Sequence, residues 1–548
     1  MTFFGKLTSL GAAVGLAACA HGPEAAGVDA SGAHPWTQRG VLRIEMTSLP
    51  NTLDPVLRTQ LAETFVGRFM FDPLVETRPD GTIEAKLARV VPTRQNGGIS
   101  SDGKTVTYHL RPGVRWHDGT PFTSADVRFT AAAYMDSRNN ASIRDGFDRV
   151  QRIDTPNPLT AVVHLAAPYT PFVRQFETTG RVVPAHVFAS SGALNSAPFN
   201  AAPIGTGPFK FERWLRGDRL ELVANDAYYL GRPNIRHVVV RFVPNDSTAI
   251  NALLTHEVDW LWNASPFAYR RLRTVPTLHV APIAANAVHG LEMNVTQPPL
   301  DDARVRRAIS YAVDRVALVR NVAFGSTTAA DADLPAFMRR GAGAGTGQGY
   351  DPSAARASLD RAGWRIVNGE RTKGGRPLAF TLVYPAGNVT SAAEVVQIQS
   401  MLRALGISVV AKAFDPNQLF APAQMGGVLE GGKFELDLSG YFQTDDPDDS
   451  ALFSCANRAP RGANVSRYCS PRFETLTAQA IATPDGPKRD ALYGQIERTL
   501  ADDAPWAFVW WPHTTQIYDT DFKNYEVTPG RQSLDPQNWS IGTDLKHR

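Results

Sequence analysis

The chain has 548 residues, 43% of them apolar and 20% charged, and its 56 Lys and Arg face 53 Asp and Glu for a formal charge of +3. At roughly 100–200 residues per domain, this length predicts two to four domains with a large core rather than a disordered chain. Balanced charge without a basic tract argues against nucleic acid as the main partner, and beyond the N-terminus no apolar run reaches the ~18 residues of a membrane-crossing helix.

Met1–Ala18 reads as an export signal, with Lys6 as the positive n-region and Leu7–Ala18 as a short apolar h-region. Its end, Leu16-Ala17-Ala18-Cys19, resembles a bacterial lipoprotein box, in which small residues fit the peptidase and the Cys19 thiol takes a diacylglycerol. Residues 19–39 then read as the lipidated Cys and a tether, since His21–Gln38 is rich in Gly, Ala, Pro and Ser. The localisation expected is the periplasm or cell envelope, with lipid holding the protein on a membrane.

Further along, Thr105–Leu110 alternates strictly, which predicts a strand with Val106, Tyr108 and Leu110 on one face. Thr123 and Asp126 form a capping-box pattern, opening a helix whose apolar face is Val127, Ala131, Tyr134 and Met135. Gly205–Pro208 is a loop leading into Phe209–Phe211, and Leu220–Val223 and Val238–Val243 follow as strands. Asp302–Arg320 reads as one helix with Val305, Ala308, Ile309, Ala312, Val316 and Val319 on its stripe. Gly341–Gly347 is a flexible crossing. Ala354–Ala362 reads as an amphipathic stretch, Leu378–Tyr384 as a strand, and Ala392–Leu405 as a helix ending at Gly406. Interleaved helices and strands place the chain in the α/β class.

Two cysteines remain once Cys19 is set aside. Cys455 and Cys469 in an exported chain suggest a structural disulfide; free thiols or a redox or metal pair are the alternatives. Motifs for chemistry fail. Gly98–Thr105 satisfies a Walker A pattern, but its Lys-Thr enters a strand, so the helix that cradles phosphate is missing. Asp445-Asp446-Pro447-Asp448-Asp449 lacks the spacing and Gly of a calcium loop and reads as a solvated loop. No catalytic residue, metal ligand or cofactor is predicted.

Thr107-Tyr-His-Leu-Arg-Pro-Gly-Val-Arg-Trp-His-Asp-Gly-Thr-Pro-Phe-Thr-Ser-Ala-Asp-Val127 closely resembles the signature of family 5 extracellular solute-binding proteins, the dipeptide, oligopeptide and nickel-binding group of ABC importers. Leu53-Asp54-Pro55, Leu74-Val75 with Asp80-Gly81, Gly205–Phe209, Asn225 with Tyr228, and Gly231-Arg-Pro233 follow the family order. So do Asn294, Arg304–Ile309 with Asp314-Arg315, Tyr350-Asp-Pro352 with Ala362-Gly363, Asp446-Pro447 and Tyr468-Cys469-Ser470.

The resemblance implies a two-lobed periplasmic-binding-protein-like fold (type II, cluster C) with an extra subdomain in the first lobe. Lobe I would take residues 40–300 with a subdomain at about 75–200, lobe II residues 301–510, and residues 511–548 would return to lobe I. It implies a monomeric, non-enzymatic receptor that binds a peptide or other small solute between the lobes and delivers it to ABC permease subunits. Peptide-binding relatives place an Asp before the Asp-Pro step to pair with the peptide ammonium. An ungapped count puts Gln443 there, with Gly440 in place of the usual Trp. A neutral amide supplies no charge, so Asp445 is the substitute if the loop shifts, and oligosaccharides or opine-like solutes enter as alternatives to peptides. Glu292, beside Asn294, is the further candidate acid. Tyr441 lies in the same segment as Gln443, and Trp260 and Trp262 share a strand face from which they could stack on a ligand.

Overall fold

The computed structural model describes residues 32–78, 82–141, 144, 146–177, 180–189, 193–339, 349–444, 446–526 and 535–542. The export signal, Cys19, Asp80-Gly81, the glycine-rich crossing and Asp445 lie outside these. Among the described residues no helix is long and apolar enough to cross a membrane.

Two large sheets organise the chain. The first has seven strands in the order Leu278–Ala284, His513–Asp519, Trp260–Ala264, Val41–Met46, His237–Phe242, Arg219–Ala224, Phe209–Leu215. One face packs under the helix Leu61–Met70 and the other under the helices Asp246–Leu254 and Pro266–Leu272. The second has six, in the order Thr328–Ala329, Trp506–Trp511, Ala287–Met293, Leu436–Phe442, Ala379–Pro385, Ser408–Phe414. Helices Ala303–Ala312, Pro352–Arg361 and Val389–Arg403 cover one of its faces, and Pro471–Ala482 and Pro487–Asp503 the other. Each sheet therefore sits between two layers of helix, as a sheet with two apolar faces requires.

The crossings between the sheets differ from the boundaries expected. Ala287–Met293 pairs with Leu436–Phe442 and Trp506–Trp511, so the chain enters the second lobe at residues 285–286 rather than after 300. It returns at Pro512, between Trp506–Trp511 and His513–Asp519. The two crossings touch, with Ala285 N donating to Pro512 O at 2.9 Å. Residues 32–39, assigned above to a tether, pack on the first lobe, where Ala33 is buried.

The subdomain carries the strand Thr105–His109 in a three-stranded sheet with Thr160–Leu165 and Val150–Asn157. Val106, Tyr108 and Leu110 are buried on one face. Thr123 and Asp126 close the capping box on the helix Ser124–Met135, and Val127, Ala131 and Tyr134 are buried while Met135 is exposed. Gly205 and Gly207 are required by close approach: a Cβ at either would lie under 3 Å from the Met70 carbonyl. The helix expected over 302–320 is two helices, Ala303–Ala312 and Arg315–Asn321, because the Asp314 side chain caps the second by accepting from Ala317 N at 2.9 Å. Val316 is consequently exposed.

Candidate functional site

The junction between the lobes is built from the ends of strands. Leu436–Phe442 pairs with Ala287–Met293 up to Phe442 and Ala287, and the pairing continues as Gln443 N donates to Asn286 O at 2.7 Å. Asn286 returns a bond from Nδ2 to Thr444 O at 3.3 Å. Gln443 thus stands where the chain changes lobe. Its Oε1 and Nε2 are both buried, and neither makes a hydrogen bond among the described residues. An orphaned buried amide costs about 1–3 kcal/mol, so these two atoms call for a partner that the described side chains do not supply. Tyr441 is partly exposed and Phe442 exposed, next to Gln443 on the same strand end.

A polar bridge crosses from the subdomain to the second lobe. Asp446 is buried and held by Arg489, whose Nη2 and Nη1 donate to its two oxygens at 2.6 and 3.0 Å. From the opposite lobe, Arg174 donates from Nη1 to Asp446 Oδ2 at 3.4 Å and from Nη2 to Asp485 Oδ2 at 3.1 Å. Tyr169 donates to Asp448 at 3.3 Å, and Thr170 to the Thr483 carbonyl at 3.0 Å. The acidic run expected as a solvated loop is therefore largely internal: Asp446 and Asp449 are buried, and two guanidinium groups over 40 and over 270 residues away meet Asp446. Pairwise spacing in the sequence gives no sign of these partners. The only local hint was a block of like charge that needs cations somewhere.

Other candidates fall away from this junction. Trp260 and Trp262 do share a face, but that face is the first lobe's core. Trp260 is fully buried, its Nε1 donates to Gln516 Oε1 at 2.8 Å, and its ring meets Phe65, Phe522, Tyr525 and Trp539. Trp262 stacks on Phe65 at 4.5 Å between centroids and is equally buried. Neither presents a ring to a solute.

Glu292 lies six residues along its strand from Asn286, about 20 Å at 3.3 Å per residue. It is buried beside Asp437, its direct cross-strand partner. Burial, and then the neighbouring Asp437, push its carboxyl well above the usual range, so it is an internal acid rather than a cleft-facing one. Burial likewise lifts Asp437 to about 7. Cys455 and Cys469 are brought within bonding distance, their Cα atoms 4.6 Å apart.

Comparison with known proteins agrees with this architecture. The oligopeptide-binding protein AppA of Bacillus subtilis is 23% identical over 520 residues, 92% of each chain. Its structure in complex with a nonapeptide superposes with a TM-score of 0.77, covering 92% of this chain and 99% of that one. The glutathione-binding protein GsiB of Pectobacterium atrosepticum is 28% identical over 467 residues, 83% of this chain and 84% of that protein. The structure of AgaA from A. tumefaciens R10 with agropinic acid gives a TM-score of 0.74 at 23% identity, covering 91% and 98%. The model of the bacterial extracellular solute-binding proteins, family 5 Middle, matches residues 83–461. With two lobes joined by adjacent crossings and more than half its length matched, the chain belongs to the family 5 extracellular solute-binding proteins.

Proposed function

We propose that this protein is the substrate-binding receptor of an ABC importer, taking a peptide or peptide-like solute between its lobes and passing it to a membrane permease. The observation that carries the reading is Gln443: a buried side-chain amide without a hydrogen-bond partner among the described residues, at the strand end where the chain crosses between lobes. Tyr441, two residues before it along the same strand, supplies surface for the solute, and Asp445 is the next candidate in the sequence. Hinge closure of two lobes over a solute is the standard motion of such architectures. The relatives named above carry oligopeptide, glutathione and agropinic acid in their names or complexes, so the scaffold admits free peptides, modified peptides and opines. Gln443 favours a second reading within that range. A neutral amide pairs with a neutral or blocked group as well as with an ammonium, which points to modified solutes rather than free α-amino peptides. Cys19 serves as the lipid anchor at the cell envelope, and Cys455–Cys469 as a structural disulfide.

The test is a thermal-shift panel on protein refolded to remove trapped solute, with peptides, N-acetylated peptides, opines and oligosaccharides at equal concentration. A ligand at 100 times its dissociation constant adds about 2.7 kcal/mol, a visible rise in melting temperature. A rise with blocked or opine-like ligands and none with free peptides supports the second reading. Stabilisation by free peptides that vanishes on acetylation assigns recognition to an acid instead. No response to any class would overturn the receptor reading.

A further inference from the structure

A second cluster lies far from the junction, on the first lobe where the described chain begins. The backbone and side chain of His34 meet the end of the last long strand, 487 residues later: His34 N donates to Asp521 Oδ2 at 2.7 Å, and Thr37 Oγ1 to the same oxygen at 2.5 Å. Trp36 Nε1 donates to Asp519 Oδ2 at 3.0 Å, and Asp521 N to Asp519 Oδ1 at 2.8 Å. Asp519 and Asp521 are both buried. What remains turned inward is a set of donor atoms. His34 Nδ1 is at ion-pair distance, 3.1 Å from Asp521 Oδ1 and 3.9 Å from Asp519 Oδ1, and this buried nitrogen makes no hydrogen bond among the described residues.

We infer that His34, Asp519 and Asp521 form a binding site for a divalent transition-metal cation of the Zn2+ type, which staples the N-terminal segment to the first lobe. The ligand atoms of the three lie within 4.8 Å of one another. Bonds of 2.0–2.1 Å to a tetrahedral ion separate its ligands by about 3.3 Å, and the observed 3.1 and 3.9 Å straddle that edge. One imidazole and two carboxylates leave a fourth position for water. Six to eight oxygens, the set Ca2+ takes, are not gathered here. An imidazole also suits a first-row transition metal better than a hard cation.

Outer contacts hold the ligands in place, as metal sites require. The His34 ring stacks on Trp36 at 4.5 Å, and Trp36 is fixed in turn by its bond to Asp519. His256 also stacks on Trp36, at 3.7 Å, with its buried Nδ1 free of hydrogen bonds and 3.7 Å from Asp519 Oδ2. It stands as an outer neighbour of the same carboxylate. The cluster is remote from Gln443, so the cation is not the transported solute.

The test is titration of the full chain, stripped with chelator, with Zn2+ alone by calorimetry, alongside His34→Gln. His34→Gln gives up the ring stack on Trp36 and the 3.1 Å approach to Asp521 but keeps the His34 N bond to Asp521 Oδ2, which is a backbone bond, and unchanged far-ultraviolet circular dichroism verifies that the fold is kept. The expected result is one Zn2+ per chain with affinity at least ten-fold weaker in H34Q. Co2+ bound to the unmodified chain is expected to give the intense visible bands of a four-coordinate site. Absence of saturable Zn2+ uptake would overturn the inference, leaving a His34–Asp521 ion pair only. Equal uptake in H34Q would also overturn it, placing the metal elsewhere.

Discussion

Arg174 makes the charged contacts through which the subdomain meets the second lobe, beside the neutral bonds of Tyr169 and Thr170, and its removal separates closure from folding. Within the second lobe Asp446 keeps its two bonds from Arg489 at 2.6 and 3.0 Å whether or not Arg174 is present. Arg174 adds a long contact of 3.4 Å to Asp446 and a better one of 3.1 Å to Asp485, whose side chain is 40% exposed. A hydrogen bond to a charged group contributes about 1.5–3 kcal/mol, and exposure of Asp485 lowers that. Arg174→Gln is therefore expected to cost the contacted state about 1–2 kcal/mol, a shift of roughly 5- to 30-fold in its equilibrium with the separated state. Apparent affinity for any solute held by both lobes falls in proportion to the population lost. Small-angle scattering is expected to show a larger mean radius of gyration for solute-free R174Q, with an unfolding midpoint close to that of the parent. Identical scattering and identical affinity in parent and variant would refute the latch. So would an unfolding free energy lowered by several kcal/mol, since that would make Arg174 a folding residue.

Stability is expected to fall as pH rises through the range where Asp437 ionises. Its folded value of about 7 lies above the unfolded 3.8, so the folded state holds the proton more tightly and stability is lost between about pH 4 and pH 7. That amounts to about 3 kcal/mol between pH 5 and pH 8, and urea midpoints of Asp437→Asn should lose this part of the pH dependence; an unchanged difference would count against it. Serine at both Cys455 and Cys469 is expected to cost about 3 kcal/mol from a closed loop spanning 14 residues, with little change in solute affinity; reactive thiols in the native exported protein would contradict the pairing. Trp260→Phe leaves the Gln516 Oε1 acceptor unpaired and is expected to cost about 1–3 kcal/mol of stability while solute selectivity stays the same. A selectivity change at unaltered stability would return Trp260 to the binding surface.

Local pattern carried much of the fold. Alternation over Thr105–Leu110 and the Thr123–Asp126 capping box are decided by neighbours a few residues apart, and the structure places both as the pattern implies. The ordered motifs from Leu53 to Ser470 were enough to identify the family, since such spacing depends on the chain itself. Distance in sequence defeated the rest. The stripe running from Ala312 to Val316 concealed a second cap at Asp314, because periodicity counts apolar residues and overlooks a competing side-chain acceptor. Trp260 and Trp262 look alike from either face of a strand; only packing against Phe65 showed that their face is the core. Glu292 was legible as an acid on a strand, yet its remoteness from the junction follows from which end of that strand meets the hinge. The meeting of Asp446 with Arg174 and Arg489, and of His34 with Asp521, joins residues tens to hundreds of positions apart. Composition and periodicity determine which segments become strands and helices, because those energies are local. Tertiary structure alone decides which buried charges find partners, because that depends on where distant segments are brought together.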